Sequence, residues 1–154
     1  MDIIIQNLHL SLNGESAQKG ITPFTKQNVP GGVYILTESG KLWLPQFWGL
    51  CNEKAQSVAF IKGKKRLLVA LQGSDSDIEL LPNGKRTDIP KYDSGDDALK
   101  DYSGMDNMDE LCKNDSKAAK FCRDKGFEWR LPTLAEMNDL FSEKKLIDIA
   151  LAIA

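Results

Sequence analysis

From residue 33 onward, short β-branched and aromatic runs alternate with polar, glycine-bearing breaks, which is the rhythm of hairpins. Val33-Tyr34-Ile35-Leu36-Thr37 and Lys41-Leu42-Trp43-Leu44 flank Glu38-Ser39-Gly40. A second pair, residues 57–61 and 66–71, flanks the basic turn Lys62-Gly63-Lys64-Lys65. A third pair, residues 78–81 and 86–89, flanks Pro82-Asn83-Gly84, where Asn-Gly tolerates the positive φ angles of a tight turn. Three hairpins in succession predict an antiparallel meander. The rhythm then changes. Residues 93–114 are acidic and weakly periodic, and read as a loop with a short helix. Ser116 is placed to cap a helix with Ala118, Ala119, Phe121 and Cys122 on its apolar face and Gly126 at its stop. After Pro132, Thr133-Leu134-Ala135-Glu136 has the form of a capping box, and the helix it starts sets Leu134, Met137, Leu140 and Phe141 on one stripe.

The two ends differ from this middle. Ile3 and Ile5, then Leu8, Leu10 and Leu12, alternate in one or two short strands, and a polar stretch punctuated by Gly14, Gly20, Pro23, Pro30, Gly31 and Gly32 follows. Residues 1–32 are therefore expected to form an extended arm, with residues 33–154 as the domain proper. The other end, from Leu146 to Ala154, is apolar to its last residue. An apolar end needs a cover, so the expectation is a truncation, or the limit of the ordered part of a longer protein.

Composition narrows the function classes. The 154 residues are 42% hydrophobic and 27% charged, enough for a packed core and against wholesale disorder. Lys and Arg number 20 against 22 Asp and Glu, so no basic face argues for nucleic acid. No apolar run approaches the roughly 18 residues of a membrane span. The first residues carry no basic segment of a signal peptide. The expectation is a protein that stays where it is made, leaves by assembly into a particle, or has lost a leader. Three cysteines, Cys51, Cys112 and Cys122, do not pair evenly and are read as reduced, buried thiols. No cofactor is expected. His9 is the only histidine and has no nucleophile near it in sequence, so a catalytic triad or a His-ligated metal is not expected. The acidic stretch from Asp93 to Glu110 lacks the spacing of an EF-hand and reads as a solvated loop, with calcium as the alternative. Trp43, Phe47 and Trp48 read first as core, and Trp43 and Trp48 as candidate ligand contacts.

The most specific stretch is Trp129-Arg130-Leu131-Pro132-Thr133-x-x-Glu136, preceded by Ala118-Ala119-x-Phe121-Cys122 and Gly126. Trp129 brings a large apolar body, Arg130 a forked donor able to tie down a loop, and Pro132 a strand stop before the capped helix. The segment resembles the core of C-type lectin-like domains of the W-R-L-P-T type, found in Bacteroides-type surface proteins and gut-phage fibre proteins. Gly32-Val33-Tyr34-Ile35, Gly40-Lys41-Leu42-Trp43, Phe47-Trp48 and Asp101-Tyr102-Ser103-Gly104-x-x-Asn107 extend the resemblance over residues 32–150. It implies an α+β domain of antiparallel β hairpins with two or three helices. That domain would be incomplete at its C-terminus, because the family's second β half has no counterpart here.

What the resemblance implies about function is a non-catalytic structural or attachment protein of a phage virion, of head- or tail-fibre type. The arm, through Ile3, Ile5, Leu8, Leu10, Leu12 and Phe24, is expected to dock on other virion proteins by strand addition. A homotrimer is the expected assembly, with a dimer second. A host-surface glycan or protein is the expected ligand, without membrane or nucleic acid as partner. A glycan- or protein-binding module of a bacterial cell surface is the alternative. An enzyme fragment of the formylglycine-generating type is a third reading, but its paired reactive cysteines have no equivalents in this chain.

Overall fold

The computed structural model describes residues 29–73, 77–126 and 128–154. The anchoring residues assigned to the arm, Ile3 through Phe24, and His9 lie outside the described residues. The chain divides into two compact units. Among the described residues, one comprises 29–73 together with Glu143–Ala154, and the other lies within 77–142.

The first unit is built on a four-stranded antiparallel sheet. Its strands are β1 (Gly32–Thr37), β2 (Leu42–Trp43), β3 (Ala55–Lys62) and β4 (Lys65–Ala70). Their spatial order is β2-β1-β3-β4. The first two expected hairpins are therefore present, but the sheet is not a simple meander. The chain leaves β2 at the edge, passes through a 3-10 helix at Pro45–Leu50, and returns on the far side of β1. This puts β1 between two neighbours, and all of Val33 to Thr37 is buried. A strand covered on both faces reads as a continuous apolar run, as Val33-Tyr34-Ile35-Leu36 does.

Turn chemistry sets the register. Thr37 is fully buried, and its hydroxyl accepts from the Lys41 amide at 3.1 Å while its own amide bonds the Lys41 carbonyl at 2.9 Å. Gly40 closes this loop at φ 85°, where a side chain would be strained. The β3–β4 turn has two central residues, Gly63 and Lys64, and only Gly63, at φ 60°, enters the left-handed region. One face of the sheet gathers Tyr34, Leu36, Leu42, Ala59 and Ile61. The unit is completed by the C-terminal helix, Lys144–Ile153, which packs against β1, β3 and the 3-10 helix through a face carrying buried Ile147 and Ala150.

The second unit is helical. It contains α1 (Gly95–Ala98), α2 (Gly104–Lys113), α3 (Lys117–Asp124) and α4 (Leu134–Phe141), so the C-terminal helix is α5. Five helices among the described residues exceed the two or three expected. The third hairpin does not form. Pro82 to Lys85 makes the expected turn, with the Lys85 amide on the Pro82 carbonyl at 3.1 Å and Gly84 at φ 81°, but no ladder flanks it. The physical reason lies in α2 and α3. Leu81 and Ile89 pack on the cluster of Met108, Leu111 and Ala119, and the Glu79 carbonyl accepts from Ala118. Helix packing has taken both the side chains and a backbone partner that a ladder needs.

The acidic stretch hides α2. Gly104, Met108 and Leu111 are buried at i, i+4 and i+7, while Asp106 and Asp109 face outward. The helix after Ser116 forms as expected, with the serine hydroxyl accepting the Ala119 amide at 3.0 Å. Gly126 follows at φ 140°. Arg123 on α3 pairs with Asp109 on α2 at 2.5 Å. Among the described residues no helix is long and apolar enough to cross a membrane.

Candidate functional site

The stretch that drew attention in the sequence forms one stapled turn in the second unit. Thr133 caps α4, its hydroxyl accepting the Glu136 amide at 3.3 Å, while the Glu136 carboxylate accepts the Thr133 amide at 3.0 Å. The capping box is thus reciprocal, satisfying two amides that a bare helix start leaves open. Arg130 then clamps the same carboxylate from the other side. Its Nη1 donates to Oε2 at 2.6 Å and its Nη2 to Oε1 at 2.5 Å, a forked pairing, and Nη1 also reaches the Leu131 carbonyl at 3.2 Å.

This pair is largely removed from water, the side chains being 19% and 5% exposed. Burial pushes the Glu136 carboxyl up, but the Arg130 hydrogen bonds and the Thr133 amide outweigh it and hold it below its ordinary value. The Glu136 hydrogen bonds, against the opposing burial, raise Arg130 in turn. A carboxylate held ionised by three donors has no proton to give near neutrality. Its role is to close the turn.

The surface beneath the guanidinium comes from α2. A Cβ placed on Gly104 would lie 2.0 Å from Arg130 Nη1 and 2.6 Å from Cζ. Only glycine fits at position 104, because the guanidinium occupies the space a Cβ would take. Next to it, Tyr102 donates through its hydroxyl to Asp139 Oδ2 at 3.0 Å. Residues 102–104 are thus tied to both Arg130 and α4. Asp101 fixes the approach to α2: its Oδ1 accepts the Ser103 amide at 2.7 Å and its Oδ2 the Asn107 side-chain amide at 3.1 Å.

These contacts rotate α4 away from the orientation its apolar stripe suggests. The stripe Leu134, Met137, Leu140 and Phe141 is split: Leu134 is 54% exposed and Phe141 59%, Met137 and Leu140 are half-buried, and Ala135, Glu136 and Asp139 are the buried residues. A forked ion pair and a tyrosine hydroxyl hold two acidic side chains inside, which leaves Leu134 and Phe141 outside.

The remaining motif residues have packing roles. The Trp129 amide bonds the Gly126 carbonyl at 3.0 Å, and its ring edge lies against Gly126, 3.2 Å from where a Cβ would stand. Leu131 packs on the Met108 cluster, and Pro132 is exposed ahead of the cap. Trp43 and Trp48, the candidate ligand contacts, belong to the other unit. Both are half-buried, and the Trp43 indole N–H is buried without a partner. The sequence missed Gly104, Tyr102 and Asp139 as parts of the turn; the signal available was the run from Asp101 to Asn107.

Cys51, Cys112 and Cys122 are free thiols, all half-buried. Cys112 and Cys122 pack on the Met108 cluster, and burial pushes the Cys122 thiol up, away from reactivity. Among the described residues no group of three or more His, Cys, Asp or Glu side chains is placed to hold a metal ion. Comparison with protein-family models, curated proteins and solved structures returns no match for this chain.

Proposed function

We propose that this chain is a non-catalytic attachment protein of a phage virion, of head- or tail-fibre type, displaying a lectin-like domain. The observation that carries the reading is the turn from Trp129 to Glu136. It is the segment that resembles C-type lectin-like domains, and its charged groups are spent on one another instead of facing a substrate. Glu136 is held ionised by three donors of its own turn, and Arg130 is folded onto Gly104. A residue set of that kind serves as scaffold, with recognition left to surfaces around it. In this reading residues 1–32 add strands to a neighbouring virion protein, and the fibre is a homotrimer.

The test is incorporation. Particles assembled with the full chain and with a chain lacking residues 1–28 are purified on a density gradient and assayed by mass spectrometry. The full chain is expected to sediment with the particles and the shortened one to remain soluble. Equal incorporation of both, or absence of the full chain from every particle fraction, counts against the reading.

A further inference from the structure

The two edges of the four-stranded sheet differ. One is β2, only two residues long, and shortness is itself a guard against unwanted pairing. The other is β4, six residues long, and among the described residues it pairs on one side alone, with β3. Its register runs from Lys62↔Lys65 to Ser57↔Ala70 without a bulge. The closing pair of a two-residue hairpin exchanges both of its hydrogen bonds. Alternation from that pair turns the amides and carbonyls of Leu68 and Ala70 away from β3. The devices that blunt such an edge are missing from its second half, because Leu67 to Leu71 contains no proline and no charge. Leu68 is 50% exposed beside Ala59, on the face that gathers Tyr34, Leu36 and Leu42. An added strand would cover it.

The chain itself carries a segment suited to this edge. Residues 1–28 lie outside the described residues, and within them Ile3 and Ile5, then Leu8, Leu10 and Leu12, alternate with period two. Residues 1–12 hold no Lys or Arg, so they bring no like charge opposite Lys65 and Arg66 at the start of β4. Residues 13–28 give a reach of up to about 50 Å between that segment and Val29. The chain then enters β1 at Gly32, which pairs with Ile61 at the end of the sheet where the β3–β4 turn lies. The arm therefore sets out from the end at which β4 begins, with length enough to reach the β4 edge of an adjacent copy.

We propose that the β4 edge receives residues 3–12 of a second copy of this chain as a fifth strand. Donor and acceptor are different surfaces, so the contact is head-to-tail, and three of them close the ring of a homotrimer. The proposal rests on the attachment reading, in which the arm adds strands to a neighbour; it names that neighbour and the strand that receives the arm. The experiment follows the full chain by sedimentation equilibrium and its amides by hydrogen exchange. The parent is expected to be a trimer with the Leu68 and Ala70 amides protected. Leu68→Pro removes an outward amide without breaking the ladder to β3, a position where a sheet tolerates proline. His9→Pro combined with Leu10→Pro breaks the donor strand whichever of the two amides faces β4. Each change is expected to weaken the assembly about tenfold or more. Mixed together, the two variants should form a one-to-one dimer, since the first keeps its arm and the second keeps its edge. Circular dichroism checks that both fold; if Leu68→Pro does not, edge-amide exchange in the parent and in the arm variant decides. Rapid exchange of Leu68 and Ala70 in the parent overturns the proposal. A monomeric parent with those amides protected also does, placing the arm on its own β4, as does an assembly that survives the arm change. Folded variants that fail to complement each other count the same way. None of these readouts involves a particle. A monomeric chain that still sediments with virions loses this inference alone, and a complementing trimer absent from virions loses the attachment reading alone.

Discussion

Replacing Gly104 by alanine attacks the stapled turn without touching either charged partner. The new methyl would stand 2.0 Å from Arg130 Nη1, where ordinary contact begins near 3.4 Å, so the guanidinium must retreat by about 1.4 Å. A free arginine would swing aside at little cost. This one is pinned by two bonds to Glu136 and one to the Leu131 carbonyl. A displacement of that size, if directed along the 2.6 Å contact, would stretch it to about 4 Å, beyond hydrogen bonding. Losing charge-assisted bonds in a mostly dry site costs about 1.5–3 kcal/mol, and alanine returns up to about 1 kcal/mol of helix preference at the start of α2. The net expectation is a loss of about 2 kcal/mol, read as a urea midpoint lower by about 1 M with unchanged slope. The decisive comparison is the same substitution in an Arg130→Met background, where the obstacle is gone and alanine becomes neutral or stabilising. An equal loss in both backgrounds would show that the guanidinium is not what Gly104 accommodates.

The other expectations concern pH, the sheet core and α4. Glu136 titrates below its ordinary 4.5 in the folded state, so the native protein binds fewer protons than the unfolded chain there. Its contribution is complete above about pH 4.5 and is lost as pH falls through the folded value; Glu53, lowered to about 2 by Lys41 and Ser39, acts in the same direction. Urea midpoints measured from neutral to acid pH should fall less steeply for Glu136→Gln than for the parent, and parallel curves would contradict this. Ser57 is fully buried on β3 with its hydroxyl unpartnered, so Ser57→Ala should be neutral or raise stability by up to about 1 kcal/mol in the same melts; a clear loss would reveal a partner for that hydroxyl. Leu134→Ser and Phe141→Ser should each change stability by less than about 0.5 kcal/mol, because both side chains are mainly exposed; losses typical of core positions would restore the expected stripe.

What could be read from the chain divides along the distance between partners. Thr133 and Glu136 are three residues apart, and the capping box they form was legible because its chemistry is local. The turns at Gly40 and Gly63 were legible for the same reason. The false hairpin at Pro82 shows the limit. Its turn is real, but whether Leu81 and Ile89 pair with each other or pack on Met108 and Leu111 is decided by α2 and α3. In α2, acidic residues on the outer face masked a buried stripe at Gly104, Met108 and Leu111. The inward turn of α4 was the least legible feature. Hydrophobic periodicity assigns Leu134 and Phe141 to the core, and only knowledge that Arg130 and Tyr102 reach Glu136 and Asp139 reverses it. The candidate site was visible as Arg130, Thr133 and Glu136. Its floor, Gly104, was not, because nothing local in the sequence joins the first glycine of one helix to an arginine before another.

The most direct measurement of the functional claim is immunogold electron microscopy of a culture that produces the chain, with antibody raised against the purified protein. The account predicts gold on the outside of virus particles, on their fibres. Gold confined to the cell envelope, with particles bare, would contradict it.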